Sequence, residues 1–206
     1  IPSYINLIYQ GTATAARSIV PSTVWGSNDH VPYFELDIEK AKGLLKEAGF
    51  PAGFETELWT LPVSRPYNPN GKKMGELMRA DLEKIGIKVK LVTYDWPTYL
   101  EKTRKAEHSL AQTGWISDNG DPDNFLDLQL SCQAVRAGSN TSQWCYSAYD
   151  QLVTNGKLIT EHAERTKLYL KAQEIIHAQV PLVPIATATV YRGLSKKVVG
   201  YKISPM

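Results

Sequence analysis

An α/β fold built on a mostly parallel sheet is the architecture this sequence predicts, and three observations predict it. Strand-like and helix-like runs alternate in the order β-α-β-α-β through the first half of the chain, a pattern that right-handed crossovers turn into a parallel sheet. The helical runs carry capping residues at their starts and glycines at their ends. The chain has 206 residues, 43% hydrophobic and 21% charged, an ordinary globular composition with enough length for a real core.

The elements follow in order. Ile5, Leu7, Ile8 and Tyr9 end at Gly11, as a helix would. Asp37 caps a helix over 38–48, with Ala41, Leu44, Leu45 and Ala48 on one face and Gly49 as its stop. Residues 54–59, Phe-Glu-Thr-Glu-Leu-Trp, alternate as a half-buried strand does. The loop at 62–70 carries three prolines and cannot be regular structure. Met74, Leu77, Met78, Leu82 and Ile85 then show helical spacing closed by Gly86, and 87–92 is the cleanest strand. Asp95 caps a third helix through about Ala106, and a strand at 108–115 follows. Helices are predicted at 147–156 and 160–179, the latter with Thr160 as cap. The strand at 182–188 contains Pro184, which places it at a sheet edge or a bend.

Composition excludes several function classes. A net charge of +2 with scattered Lys and Arg argues against a nucleic-acid partner or a membrane surface. No run approaches the roughly 18 apolar residues of a membrane span, and no signal peptide is evident. The chain opens at Ile1 and closes at Pro205-Met206 in ways that read as a fragment or a processed product. Cys132 and Cys145 enclose a polar Gly-Ser-Asn-Thr-Ser stretch. They suit either a structural disulfide, which implies an oxidising compartment, or two buried thiols.

The most informative run is 114–124, Gly-Trp-Ile-Ser-Asp-Asn-Gly-Asp-Pro-Asp-Asn. It follows a strand, where α/β proteins place their ligands. Calcium is the first reading of its three acids, but position 12 of an EF-hand would be Gln129 or Cys132 instead of glutamate. Helix-start chemistry accounts for two of them: Asp121 caps a helix with Pro122 at its first position, and Asp123 suits its positive end. Asp118 is left without a structural duty. Catalytic motifs are absent, and His30, His108, His162 and His177 are dispersed, so no nucleophile or general base is named. Trp59 and Trp96 read as core more readily than as pocket, whereas Trp115 immediately precedes the turn and reads as a pocket wall. With Arg65 in the proline-rich loop and Asp118 in the acidic one, the charges suit a zwitterion.

Four segments resemble a known family: Arg65-Pro66-Tyr67-Asn68-Pro69-Asn70, Thr93-Tyr94-Asp95-Trp96, Gly114-Trp115 through Phe125, and the pair Ser131-Cys132 with Trp144-Cys145-Tyr146. They are similar to the C-terminal lobe of dipeptide-binding proteins, the extracytoplasmic receptors of peptide ABC transporters in solute-binding family 5. The resemblance covers the whole chain. It implies a class II periplasmic-binding-protein-like lobe, residues 1–206, whose mixed, mostly parallel sheet is flanked by helices and whose N-terminal lobe lies outside this sequence. The hinge-proximal segments would lie at the chain's ends. An aspartate at Asp118 would pair with a peptide's α-amino group, and an arginine at Arg65 with its carboxylate. Trp96 would help line the side-chain pocket, with Tyr67, Gly114, Trp115, Ile116 and Ser117 completing the ligand-contacting set. Cys132 and Cys145 would form the family's disulfide. The implied partners are a dipeptide or short peptide, the permease subunits and the N-terminal lobe, in a Gram-negative periplasm, with no metal, cofactor, nucleic acid or catalysis. Related receptors on this scaffold take haem, glutathione, oligopeptides or antimicrobial peptides, and a peptide hydrolase would use a similar cleft.

Overall fold

The structure is a computed structural model that describes residues 1–202; the terminal Pro205-Met206 lies outside the described residues. Its organising unit is a three-stranded parallel sheet. Strand β2 (Glu55–Trp59) is central, with β3 (Lys88–Val92) on one side and β4 (Leu110–Ala111) on the other. The chain steps from β2 to β3 through helix α3 (Gly71–Glu83), then back past β2 to β4 through helix α4 (Trp96–Arg104). Because the two steps run in opposite directions, right-handed crossovers put the two helices on opposite faces. The packing agrees. Leu58 and Val89 meet Met78 and Leu82 of α3 on one face, while Trp59 meets Trp96 and Tyr99 of α4 on the other.

The predicted starts hold at two helices. Asp37 accepts from the Lys40 amide at the start of α2 (Ile38–Glu47), and Asp95 accepts from that of Thr98 at the start of α4. Asn70 does the same for α3 through Lys73, a cap hidden within the proline-rich run. The apolar face expected of α2 is only partly used. Leu45 packs beside the sheet, but Leu44 stays exposed, because α2 lies at the margin of the core.

Three expectations fail at their edges. The strand expected at 108–115 pairs only at Leu110–Ala111, with the Gln112 amide adding one bond to the Trp59 carbonyl. Beyond that point the Tyr67 ring lies on Gly114 where a further ladder would run. The strand expected at 182–188 shrinks to β5 (Ala186–Ala188). It pairs antiparallel with β1 (Ala13–Ala15), a strand too short to show a periodicity, in a separate two-stranded sheet. Helix α8 (His162–Gln179) starts without Thr160; Glu161 precedes it, and no side chain caps it.

At the start of the chain, α1 (Pro2–Tyr4) runs into a π-helical turn at Ile5–Tyr9 that stops one residue before Gly11, at left-handed Gln10. Tyr4, Ile8 and Tyr9 pack with Met74 of α3. Between the parallel sheet and β5 the chain is helical: α5 (Asp123–Leu130), α6 (Cys132–Ala137), α7 (Ser147–Leu158) and α8. Its core is Phe125, Leu126, Leu130, Tyr149, Val153, Tyr169, Ala172 and Ile176. Gln173, buried on α8, pins the irregular segment before α2. Its Oε1 accepts from Ser18 Oγ (2.8 Å) and the Asn28 amide (3.0 Å), and its Nε2 donates to the Gly26 carbonyl (2.7 Å). Cys132 and Cys145 are disulfide-bonded, and the stretch between them holds α6 where the sequence suggested only a polar loop.

Candidate functional site

The parallel register of β2 and β4, Leu58 opposite Leu110 and Trp59 opposite Ala111, makes two loops leave the same sheet edge side by side. One runs from Leu61 to Asn70, the other from Gln112 to Pro122. Where successive crossovers go to opposite faces, such loops open a crevice at the carboxyl ends of the strands. Gln112 joins them. It is buried, and its Oε1 accepts from the Leu61 amide (3.1 Å) and from Asn68 Nδ2 (3.3 Å). Tyr99 anchors the same strand from below, its hydroxyl donating to the Gln112 carbonyl at 2.6 Å.

In the first loop, the backbones of Arg65 and Asn68 exchange two hydrogen bonds of 3.0 Å, closing a tight turn. The turn lays the Arg65 guanidinium 4.2 Å above the Trp96 ring. That contact holds the planar cation flat and is worth roughly 0.5–1 kcal/mol at a half-open site. Arg65 Nε is buried without a hydrogen-bond partner, and no carboxylate among the described residues pairs with the group. Tyr67 lies half-buried over Gly114. A Cβ built on Gly114 would sit 2.2 Å from the Tyr67 ring, so only glycine allows this approach. Burial pushes the Tyr67 phenol upward, with the Arg65 charge opposing.

The second loop is built from short polar side chains that satisfy its own backbone. Ser117 Oγ accepts from the Gly120 amide (2.7 Å), Asn119 from that of Asp121 (3.0 Å), and Asp121 from that of Asp123 (3.1 Å). The expected cap is displaced by one residue: Pro122, already in helical geometry, takes the N-cap position of α5 (Asp123–Leu130), and Asp121 before it accepts from the Asp123 amide. Arg165 of α8 fixes that start, donating to Asp121 at 2.9 Å and to the Gly156 carbonyl at 2.8 Å. Asp123 departs from the expectation. Burial, then the neighbouring Asp121, pushes its carboxyl up, so the helix's positive end is not its dominant influence.

Asp118 is exposed, and it is not idle. Its carboxylate accepts from Asn124 Nδ2 (3.2 Å), and its amide donates to Asn124 Oδ1 (3.1 Å). The same Oδ1 accepts from the Trp115 indole at 2.7 Å. Trp115 and Ile116 remain 37% and 48% exposed, so both are free to meet a ligand, while Ser117 is buried in the turn. No cation among the described residues pairs with Asp118. No group of three or more His, Cys, Asp or Glu among the described residues is placed to hold a metal. The fold thus gathers Arg65, Tyr67, Gly114, Trp115 and Asp118 onto two adjoining loops, with Trp96 at the start of α4 beneath Arg65 and Ser117 as the internal support of the second loop.

Residues 2–136 match the model of bacterial extracellular solute-binding proteins, family 5, middle region. The chain belongs to this family. It is 44% identical over 202 residues to the dipeptide-binding protein of Escherichia coli K12, covering 98% of this chain and 38% of that relative. The haem-binding protein A of Haemophilus influenzae is 43% identical over 201 residues, with 98% and 37% covered. Among solved structures, the dipeptide-binding protein of Pseudoalteromonas sp. SM9913 in complex with Met-Leu superimposes with a TM-score of 0.88. That match is 40% identical and covers 91% of this chain and 37% of that one. The periplasmic-binding-protein fold is thereby shown, and the chain spans little more than a third of the relatives it matches.

Asn124 and Gln112 are the members of this site that sequence reasoning missed. Gln112 carried a faint signal as a polar residue inside an apolar strand. Asn124 carried none, since an Asn in a first helical turn is ordinary.

Proposed function

We propose that this chain is the C-terminal lobe of a periplasmic receptor that binds dipeptides and delivers them to a membrane permease. The observation that carries the reading is the pair of unpaired opposite charges, Arg65 and Asp118, on loops that leave neighbouring strands of one sheet edge. A free peptide is the ligand with a cation at one end and an anion at the other. Asp118 takes its ammonium, and Arg65, already flat on Trp96, takes its carboxylate as a fork. Preorganisation of both groups reduces the ordering cost of capture.

Two fixed charges also measure length. One additional residue moves the carboxylate by roughly 3.3–3.6 Å, more than a hydrogen bond tolerates. The exposed walls formed by Trp115 and Ile116 contact the ligand without specifying it. Closure by a second lobe excludes water and strengthens both ion pairs. The names of the relatives and the Met-Leu complex support a peptide. Haem fits less well, because its propionates are both anionic and Asp118 would repel one of them. The site residues hold a ligand and offer no activated nucleophile, so the proposal is a receptor rather than a hydrolase.

The test is calorimetry of the full-length protein with Met-Leu, followed by analysis of the recovered ligand. Tight binding with Met-Leu returned intact is expected. Release of free methionine and leucine would make the protein an enzyme, and absence of binding would remove the peptide.

A further inference from the structure

Asn124 sits in the first turn of α5, where its own amide bonds to the Asp121 carbonyl and the preceding Asp123 amide is taken by Asp121 Oδ1. Its side chain is therefore spare, and it reaches back six residues to the ligand loop. All three of its side-chain hydrogen bonds go to two residues there. Oδ1 accepts from Trp115 Nε1 and from the Asp118 amide, while Nδ2 donates to Asp118 Oδ2. Asp118 Oδ1 has no partner among the described residues.

We infer that Asn124 is a positioning residue for the ligand's amino end: it fixes the Asp118 carboxylate and the Trp115 ring in one mutual orientation. This rests on Asp118 as the ammonium acceptor. The chemistry requires a carboxamide, because one planar group must accept from two donors and donate to a carboxylate. An aspartate at this position would supply the acceptors but set a second negative charge beside Asp118. A leucine has the same size and none of the bonds. Occupying Oδ2 leaves Oδ1 for the ligand, and the shared Oδ1 of Asn124 holds the Trp115 indole at a set distance from that charge. The base of the arrangement is rigid, since Arg165 ties the start of α5 to α8.

The experiment is a double-mutant cycle in the full-length protein, with Asn124→Leu, Asp118→Asn and the double variant titrated with Met-Leu. A nitrogen–proton NMR spectrum then reports the Trp115 indole. Asn124→Leu should weaken Met-Leu binding by about tenfold, the scale of one lost hydrogen bond to a charged group. In the Asp118→Asn background the loss should shrink to under about threefold, because the two residues act as one unit. The Trp115 indole resonance should move in Asn124→Leu. Equal losses in both backgrounds would overturn the positioning role, as would an indole resonance that does not move, whatever the affinities. If Asp118→Asn alone leaves Met-Leu binding unchanged, the ammonium reading fails instead, and the indole resonance still decides whether Asn124 holds the loop.

Discussion

Replacing Gln112 with leucine should loosen the two loops at the sheet edge without disturbing the sheet. Leucine keeps most of the volume but strands two buried donors, the Leu61 amide and the Asn68 carboxamide, at positions 4% and 6% exposed. An unsatisfied buried donor costs roughly 1–3 kcal/mol, so the two together should cost roughly 2–6 kcal/mol. Chemical denaturation of the full-length protein reads the total. Hydrogen exchange at the Leu61 amide reads the local part, since its only bond among the described residues is to Gln112. The expected result is a large loss of protection at Leu61, with the β2–β3 amides unchanged. Met-Leu binding should weaken as well, because the Arg65 turn is tethered through Asn68. A stability loss below about 1 kcal/mol with Leu61 still protected would refute the reasoning, and the loop would have to be held elsewhere.

Other expectations follow from single contacts. Gly114→Ala should displace the Tyr67 ring and weaken Met-Leu binding while leaving the protein folded, visible as a shifted Tyr67 resonance with unchanged far-ultraviolet circular dichroism. Trp96→Leu should weaken binding of peptides with a free carboxylate by roughly two- to fivefold, the worth of the lost cation–π support; titration of Met-Leu against its C-terminal amide isolates that part. Asp123 has a carboxyl pushed up by burial and by Asp121, against Arg165 and Lys157. Its contribution is therefore fully present at low pH and lost as pH rises through its folded value. Asp123→Asn should stabilise the protein at pH 7, with the gain vanishing below about pH 4, the ordinary range for aspartate; a destabilised variant at pH 7 would mean that the helix terminus governs the residue after all. Reducing the Cys132–Cys145 bridge, which spans a separation of 13 residues, should cost about 3 kcal/mol in chemical denaturation.

The parts of this molecule that were legible in its sequence are those set by local chemistry. Asp37 and Asp95 cap their helices because a side-chain oxygen two or three residues from an orphan amide needs no tertiary partner. The β2-α3-β3 unit was legible because its periodicity is sustained over whole elements. The short pieces were not. β1 has three residues and gains its identity only by pairing with β5, more than 170 positions away. The failure at 108–115 has a tertiary cause, since the strand gives way where the Tyr67 ring settles on Gly114. Asp118 stands out in the sequence by elimination, once its neighbours have duties, and that elimination is incomplete, since Asn124 gives it a local one. The hydrogen bonds from Asn124 depend on a helix turning back toward the loop, which spacing alone does not reveal.

The central claim is that Asp118 and Arg65 hold opposite ends of one peptide, and a specificity swap tests it most directly. Calorimetry would compare Met-Leu, N-acetyl-Met-Leu and Met-Leu amide against the full-length protein, Asp118→Asn and Arg65→Ala. The account predicts that Asp118→Asn abolishes discrimination against the acetylated peptide only, and that Arg65→Ala abolishes discrimination against the amide only. Under the proposed closure by a second lobe, each variant should lose more than the ~0.2–1 kcal/mol of an exposed ion pair. Discrimination that survives at both ends in both variants would contradict it.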